Sequence, residues 1–434
     1  MSNSMSTTLK QKKTSARWVM LGFICLFTFL ITGFTNQTFN VLLRTIAVDF
    51  GWTNTQITTV NTAMASGMIW FVFVAGAMMD RISVKKMLVS VVILLGVLTF
   101  LRGEAQGFVF FFSIMFSFGV ASAFFAPATV KAIGLWFDAE ELMMANGWLQ
   151  ASAALGMVVA NLLAQRILEL FGGNWRGLFA TIGMGLIAIA LLFILVGKDR
   201  KSEEASLTSN VLTKDDLGFW KNIKGVMKLP LVWVFTMANV FFLGVLSTAI
   251  GWGQFVFQSD PGWGVSPYAT YGLSIARSGQ ISATGNGFAM VAMVLVPLLF
   301  KKIGRKHLPV VAIGAGIVSA IVSFIGLISY NFTLLIVVMM ITGILCGVCI
   351  PAPRLLMLSL PEVSGARAGT AMGFFLTVER LSVTLLMALL GGLMAGGQVS
   401  KSVLLGMFYL LQLGSPLLLL WGMILLRKKK AKNT

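Results

Sequence analysis

The chain has 434 residues, of which 57% are hydrophobic and only 11% charged, and its mean hydropathy is +0.89. A chain this apolar is typical of a polytopic membrane protein and excludes a soluble globular one. The net charge of +18 does not indicate nucleic-acid binding, because no basic patch carries interleaved aromatic residues and basic residues beside apolar segments orient them in a bilayer.

Several classes of chemistry lack the residues that they need. The sequence has three cysteines inside apolar runs, a single histidine and no GxxxxGK[ST] segment. It therefore offers no disulfide framework, no histidine metal site, no Ser–His–Asp triad and no ATP-binding loop. We expect no cofactor, no metal and no enzymatic activity, and an integral membrane enzyme or a non-transporting sensor is disfavoured.

Apolar runs along the chain predict twelve membrane spans, each near the 20 residues that cross a bilayer as a helix. The predicted spans are about 18–42, 57–79, 87–106, 108–135, 146–167, 177–197, 231–256, 277–300, 309–329, 333–358, 369–394 and 402–426. Residues 198–230 are polar and of mixed charge, which predicts a solvated linker between two six-helix halves. The predicted parts are an N-terminal tail 1–17, bundles 18–197 and 231–426, the linker 198–230 and a basic tail 427–434.

Lysine and arginine are distributed unequally about these spans. Of the 33 basic residues, 24 fall on the side of the N-terminus and six on the opposite side. The six are Arg44, Arg102, Arg166, Arg176, Arg277 and Lys401. By the positive-inside rule, we expect both termini in the cytoplasm and the protein in the inner membrane.

A densely charged segment, GAMMDRISVKK at 76–86, separates the second and third apolar runs. Its charges, Asp80, Arg81, Lys85 and Lys86, cannot sit in hydrocarbon and predict a tight loop at the membrane surface, where Gly76 lets two helix ends approach. The segment resembles the signature loop of the major facilitator superfamily. A weaker copy, PLLFKKIGRK at 297–306, predicts an internal duplication.

The resemblance implies an all-α membrane protein with twelve helices in two pseudo-symmetric bundles. It also implies a secondary transporter that works by alternating access, in which the loop at 76–86 forms a cytoplasmic gate. Spans one, four, seven and ten would line the central cavity.

Setting aside these 24 and six basic residues leaves three, Lys131, Arg354 and Arg380, which lie inside predicted spans. Charged groups in hydrocarbon are costly, so they are candidates for function. Residues 119–131 read GVASAFFAPATVK and residues 343–354 read GILCGVCIPAPR, and in both a proline follows the first glycine by eight residues and the cation closes the segment. With the resemblance, a cation from each half would face the cavity and attract an anion. The alternative is that either cation snorkels to the membrane surface.

Glu379 is the only acid well inside a predicted span. If transport is proton-coupled, Glu379 is the predicted proton carrier. The alternative is a structural ion pair with Arg354 or with its neighbour Arg380, although adjacent helical residues point about 100° apart.

Asn36, Asn40 and Arg44 recur every four residues in the first span and form a polar stripe, which Asn61 could extend. A cavity role is favoured over helix–helix hydrogen bonding. The predicted substrate-binding set is Lys131, Arg354, Asn36, Asn40, Arg44, Asn61, Asn239 and Arg380.

We therefore predict a transporter of a small organic anion that works by proton symport or by exchange. The alternative is proton-coupled efflux of amphipathic drugs or metabolites, for which 34 Phe and 25 Met would form an adaptable cavity. The expected partners are a small-molecule substrate and the lipid bilayer, and the expected state is a monomer.

Overall fold

The computed structural model describes residues 16–79, 83–137, 139–197, 224–251, 273–303, 307–328, 331–358, 360–363 and 401–433, with short helical pieces of one to three residues between 371 and 389, among them Glu379. The described part of the chain is helical and contains no strand. Asp80, Arg81 and Arg380 lie outside it, as do most of the predicted linker and most of the eleventh span.

The first half contains seven α-helices and one π-helical segment. They are α1 (Ala16–Thr28), the π segment (Phe29–Thr35), α2 (Asn36–Phe50), α3 (Asn54–Met79), α4 (Val84–Gly103), α5 (Phe108–Trp136), α6 (Ala139–Leu170) and α7 (Trp175–Val196). We call the membrane face where α1 begins the N-terminal side and the opposite face the far side.

The second half contains six described helices and a short 3₁₀ turn (Pro361–Val363). The helices are α8 (Pro230–Gly251), α9 (Ile275–Ile303), α10 (Leu308–Ile328), α11 (Phe332–Cys349), α12 (Pro351–Leu358) and α13 (Lys401–Asn433). Helix α11 ends at Cys349, whereas the tenth predicted span runs on to residue 358. Pro351 has no N–H to extend the hydrogen-bond ladder, and it begins α12 instead.

Helix lengths agree with a membrane-spanning chain. Within the described residues, seven helical stretches are long and apolar enough to cross a bilayer: Ala16–Phe50, Val84–Gly103, Phe108–Trp136, Gly147–Leu170, Trp175–Val196, Leu308–Ile325 and Phe332–Met357. Most predicted spans match the observed helices within a few residues, since burial in hydrocarbon requires continuous apolar length. The first helical stretch is longer than predicted, because the polar stripe continues as helix to Phe50.

The loop between α6 and α7 shows how local sequence ends one helix and begins the next. Gly172 and Gly173 adopt positive φ angles of 64° and 82°, which glycine tolerates without a Cβ clash. Asn174 then caps α7 by accepting a hydrogen bond from the Gly177 N–H at 3.1 Å. The turn is tight, and it directs α7 back through the bundle.

Equivalent helices pair in the two halves. Helix α3 packs on α5 and α4 on α7 in the first half, while α9 packs on α11 and α10 on α13 in the second. The glycines of the two parallel segments lie at these contacts. A Cβ on Gly119 would overlap the carbonyl oxygen of Met64 in α3, and a Cβ on Gly343 would overlap that of Gly285 in α9. The repeated sequence pattern therefore reflects the same close helix approach, used once per half.

One basic residue of the far side lies inside the protein. Arg102, counted with the six basic residues of that side, lies in the last turn of α4 and is completely buried. Its surroundings come from three other helices, which the local sequence could not reveal.

Candidate substrate and coupling site

A buried carboxylate joins three segments of the second half of the chain. The side chain of Glu379 is 1% exposed, and one of its oxygens, Oε2, receives two partners. Asn239 donates a hydrogen bond to it from Nδ2, and Nη2 of Arg354 lies 2.9 Å away. Three residues predicted separately, from α8, α12 and the segment 371–389, are therefore brought together.

The cation of this cluster lies at the edge of the core. The Arg354 side chain is 26% exposed, whereas Asn239 is completely buried. The guanidinium also lies 5.8 Å from the ring centroid of Phe375, which is one helical turn before Glu379 on the same face. Arg354 can therefore reach Glu379 on one side and solvent-accessible space on the other.

Two polar atoms in the cluster have unused hydrogen-bonding capacity. Nε of Arg354 and Oδ1 of Asn239 are buried without a hydrogen-bond partner among the described residues. An unsatisfied buried polar atom costs about 1–3 kcal/mol, so a ligand that supplies both an acceptor and a donor would be stabilised here. Arg354 is one of the two partners predicted from the sequence for a structural ion pair of Glu379. The pair leaves Nε of Arg354 and Oδ1 of Asn239 without hydrogen bonds in the described part of the chain.

The predicted substrate-binding residues of the first half lie on α2, α3 and α5. Asn36, Asn40 and Arg44 are half-buried on α2, Asn61 is half-buried on α3, and Lys131 is half-buried on α5. Two buried polar atoms of this set, Oδ1 of Asn36 and Nδ2 of Asn61, have no hydrogen-bond partner in the described part of the chain.

The π segment precedes this polar stripe and was not predicted. Its wide turn is fixed against α6, because a Cβ on Gly33 would overlap the backbone of Ala153 and Gly156. π-helical segments inside α-helices occur frequently at functional sites. Here the segment ends directly before Asn36, so it sets the direction of α2, the helix that carries the stripe.

Gln37, in the first predicted span, makes a hydrogen bond between helices, which was the alternative to a cavity role for the polar residues there. It is 2% exposed, and its Nε2 donates to Oδ1 of Asn161 in α6 at 2.9 Å. Asn161 also marks where the two halves meet, since a Cβ on Gly279 in α9 would overlap its carbonyl oxygen. Helices α6 and α9 therefore touch at backbone distance toward the far side, and no motif in the sequence predicts this contact.

The predicted gate is described only in part. Gly76 lies in the last turn of α3, and Lys85 and Lys86 lie in the first turn of α4. Lys85 donates from Nζ to the carbonyl oxygen of Ile194 at 2.9 Å, near the end of α7, where a cation complements the exposed carbonyl groups. The role of the loop as a gate stays a prediction.

Comparison with known proteins identifies the family. The model of the Major Facilitator Superfamily matches residues 25–387, and the chain belongs to that superfamily. A solved structure, a bacterial homologue of the human lysosomal transporter Spinster in an inward-facing and occupied conformation, has a TM-score of 0.68 at 15% identity and covers 95% of this chain and 96% of its own. The protein is thus a multi-pass, all-helical membrane protein with the two-bundle fold of these transporters.

Relatives at low identity carry substrate names. A protein of Agrobacterium vitis named as a tartrate transporter is 23% identical over 70% of this chain and 71% of its own length. A protein of Cupriavidus necator named as a sulfoacetate transporter is 23% identical, with 57% of this chain and 56% of its own length covered. A quinolone resistance transporter of Acinetobacter baumannii is 24% identical over 35% of this chain and 37% of its own.

Proposed function

We propose that the protein is a secondary active transporter of a small organic anion, and that Arg354 is shared between Glu379 and that anion. The contact that carries the proposal is the 2.9 Å pair between Nη2 of Arg354 and Oε2 of Glu379. Tartrate and sulfoacetate, after which two relatives are named, are small dianions that suit a guanidinium.

The pair supplies a simple route to coupling. While Glu379 is ionised, it holds the guanidinium and an anionic substrate must compete for the same cation. When Glu379 takes up a proton, its attraction for Arg354 falls and the guanidinium becomes available to the substrate. Binding of the proton and of the anion would then favour each other, which is the requirement for symport. Without a proton gradient, the same site would exchange one anion for another.

Lys131 provides the second cation of the proposal. It closes the first of the two parallel segments, whose glycine packs as its counterpart in the second half does. A carboxylate held between Lys131 and Arg354 would bridge the two halves. Alternating access would follow as the bundles rock about it. We further propose that Asn36, Asn40, Arg44 and Asn61 line the route to this site.

The orientation proposed from charge distribution has both termini in the cytoplasm and the N-terminal side facing inward. The far-side contact between α6 and α9 would then close the outer face. We propose a monomer as the functional unit.

Uptake by purified protein in liposomes tests the substrate class. Tartrate, sulfoacetate and other small carboxylates are supplied outside, with and without an inward proton gradient. Arg354→Gln should lower uptake of the transported anion about tenfold or more, because a hydrogen-bonded charge is removed from the site. Arg277→Gln, at an exposed arginine of α9 in the same half, should leave uptake unchanged.

If no small anion accumulates, or if Arg354→Gln transports as well as the unsubstituted protein, the anion proposal is wrong. Accumulation of a quinolone in inverted vesicles, with no anion uptake, would establish the efflux alternative instead.

A further inference from the structure

Arg102 is a charge that the transport site does not explain. Among the described residues, Arg102 and Glu379 are the two charged residues that the protein buries almost completely. Glu379 has Arg354 and Asn239 as partners. By contrast, Nε, Nη1 and Nη2 of Arg102 have no hydrogen-bond partner in the described part of the chain.

Aromatic rings cover this guanidinium from three helices. Its central carbon lies 4.1 Å from the ring centroid of Phe118 in α5, and 5.9 Å from those of Phe39 in α2 and Phe179 in α7. A ring at 4.1 Å satisfies one face of the planar cation through a cation–π interaction. The N–H groups point outward in the plane of the guanidinium, so the ring does not satisfy them.

No acidic residue whose side chain is described in the first half balances the charge. Those whose side chains are described lie elsewhere: Asp49 pairs with Arg176, Glu104 is exposed, Glu141 pairs with Arg17 and Glu169 accepts from Gln165. Glu140 lies in the first turn of α6, on the N-terminal side and across the membrane from the last turn of α4, and Asp80 and Asp138 lie outside the described residues. Burying an unbalanced charge costs far more than a cation–π contact returns.

Two hydroxyl groups lie on the same helix faces as the covering rings. Thr35 precedes Phe39 by four residues and Ser122 follows Phe118 by four, so each lies one turn from a ring that covers Arg102. Both hydroxyl oxygens are buried and have no hydrogen-bond partner among the described residues. The region therefore combines an uncompensated cation with unused donors.

We propose that a small monovalent anion of halide size, chloride above all, binds beside Arg102 inside the first bundle. The ion would accept hydrogen bonds from the in-plane N–H groups of the guanidinium. The Thr35 and Ser122 hydroxyls would lie at the edge of the site. Arg102 has no exposed surface, which favours a halide over an organic anion. This site lies in the other half of the chain from Arg354, and it does not depend on the substrate.

Thermal unfolding of the purified full chain tests the site. Protein prepared in sodium gluconate is titrated with sodium chloride or bromide at constant ionic strength. The unfolding temperature should rise by about 3 °C over a hundredfold increase in chloride, since a ligand that binds only the folded state stabilises it. Arg102→Met should abolish the rise. Arg176→Met removes an arginine of the same side that already has Asp49, and should keep the rise.

Halide released when the protein is denatured provides a second measurement that does not need a stable variant. After dialysis against bromide and removal of free ion, the unsubstituted protein should release about one bromide per chain, and Arg102→Lys should release less. Absence of bound bromide together with equal unfolding temperatures in chloride and gluconate would overturn the proposal. A chloride response that persists in Arg102→Met would also overturn it, because the ion would then bind elsewhere.

Discussion

Replacing Arg354 with methionine tests the energetic role of the buried ion pair. The substitution keeps an unbranched apolar side chain but removes the positive charge 2.9 Å from Glu379. The carboxylate, 1% exposed, would then remain buried without the cation that balances it. Glu379→Gln removes the charge from the other partner, and its amide oxygen can still accept from Asn239 and Arg354.

The expected cost follows from burial. Removing one partner of a fully buried pair costs about 3–5 kcal/mol, because the other charge stays desolvated. Arg354 is 26% exposed, so part of this interaction is screened by solvent and we expect Arg354→Met to lower the free energy of unfolding by about 2 kcal/mol. Glu379→Gln alone should cost less, about 1 kcal/mol. The double variant should be more stable than Arg354→Met, because no buried charge remains.

Unfolding of the four proteins in one detergent, followed by tryptophan fluorescence, provides the assay. The difference between the double variant and the sum of the single variants gives the coupling between the two side chains. If the effects of the two single substitutions simply add, or if Arg354→Met is as stable as the unsubstituted protein, the ion pair does not carry the stability assigned to it.

Three further predictions concern packing and gating. Gly119→Ala should lower the free energy of unfolding by about 1–3 kcal/mol, while Gly134→Ala, on the same helix with open space around it, should raise it slightly; equal effects would contradict the close approach of α3 and α5. Gly279→Val should reduce transport turnover at normal surface expression, because the added side chain separates α9 from Asn161; unchanged turnover in liposomes would refute this. Asp80→Asn should impair turnover more than surface expression, and normal turnover would count against a gate at 76–86.

The sequence predicted features that depend on apolar length or on a repeated pattern. Helix positions followed from hydropathy, since a span needs about 20 apolar residues wherever it packs. The glycine and proline spacing shared by 119–131 and 343–354 anticipated an equivalent device in each half, and both glycines lie at equivalent helix contacts.

Features that depend on contacts between distant helices could not be predicted. Arg102 lies near the end of an apolar run and was counted with the basic residues of the far side, and its burial depends on rings from three other helices. The partner of Glu379 also stayed open between Arg354 and Arg380, because that choice depends on where α12 lies. The contacts of Asn161 with Gln37 and Gly279 were not predicted, because a single asparagine in an apolar helix does not show which residue it packs against.

In the proposed mechanism, Glu379 and the substrate compete for the guanidinium of Arg354. Its most direct test is the affinity of the purified protein for the anion that the uptake assay selects, measured by calorimetry near pH 7.5 with and without Glu379→Gln. Competition predicts that Glu379→Gln binds that anion about tenfold more tightly and with little dependence on pH, because the guanidinium is no longer held by a carboxylate. Equal or weaker binding by Glu379→Gln would contradict the claim.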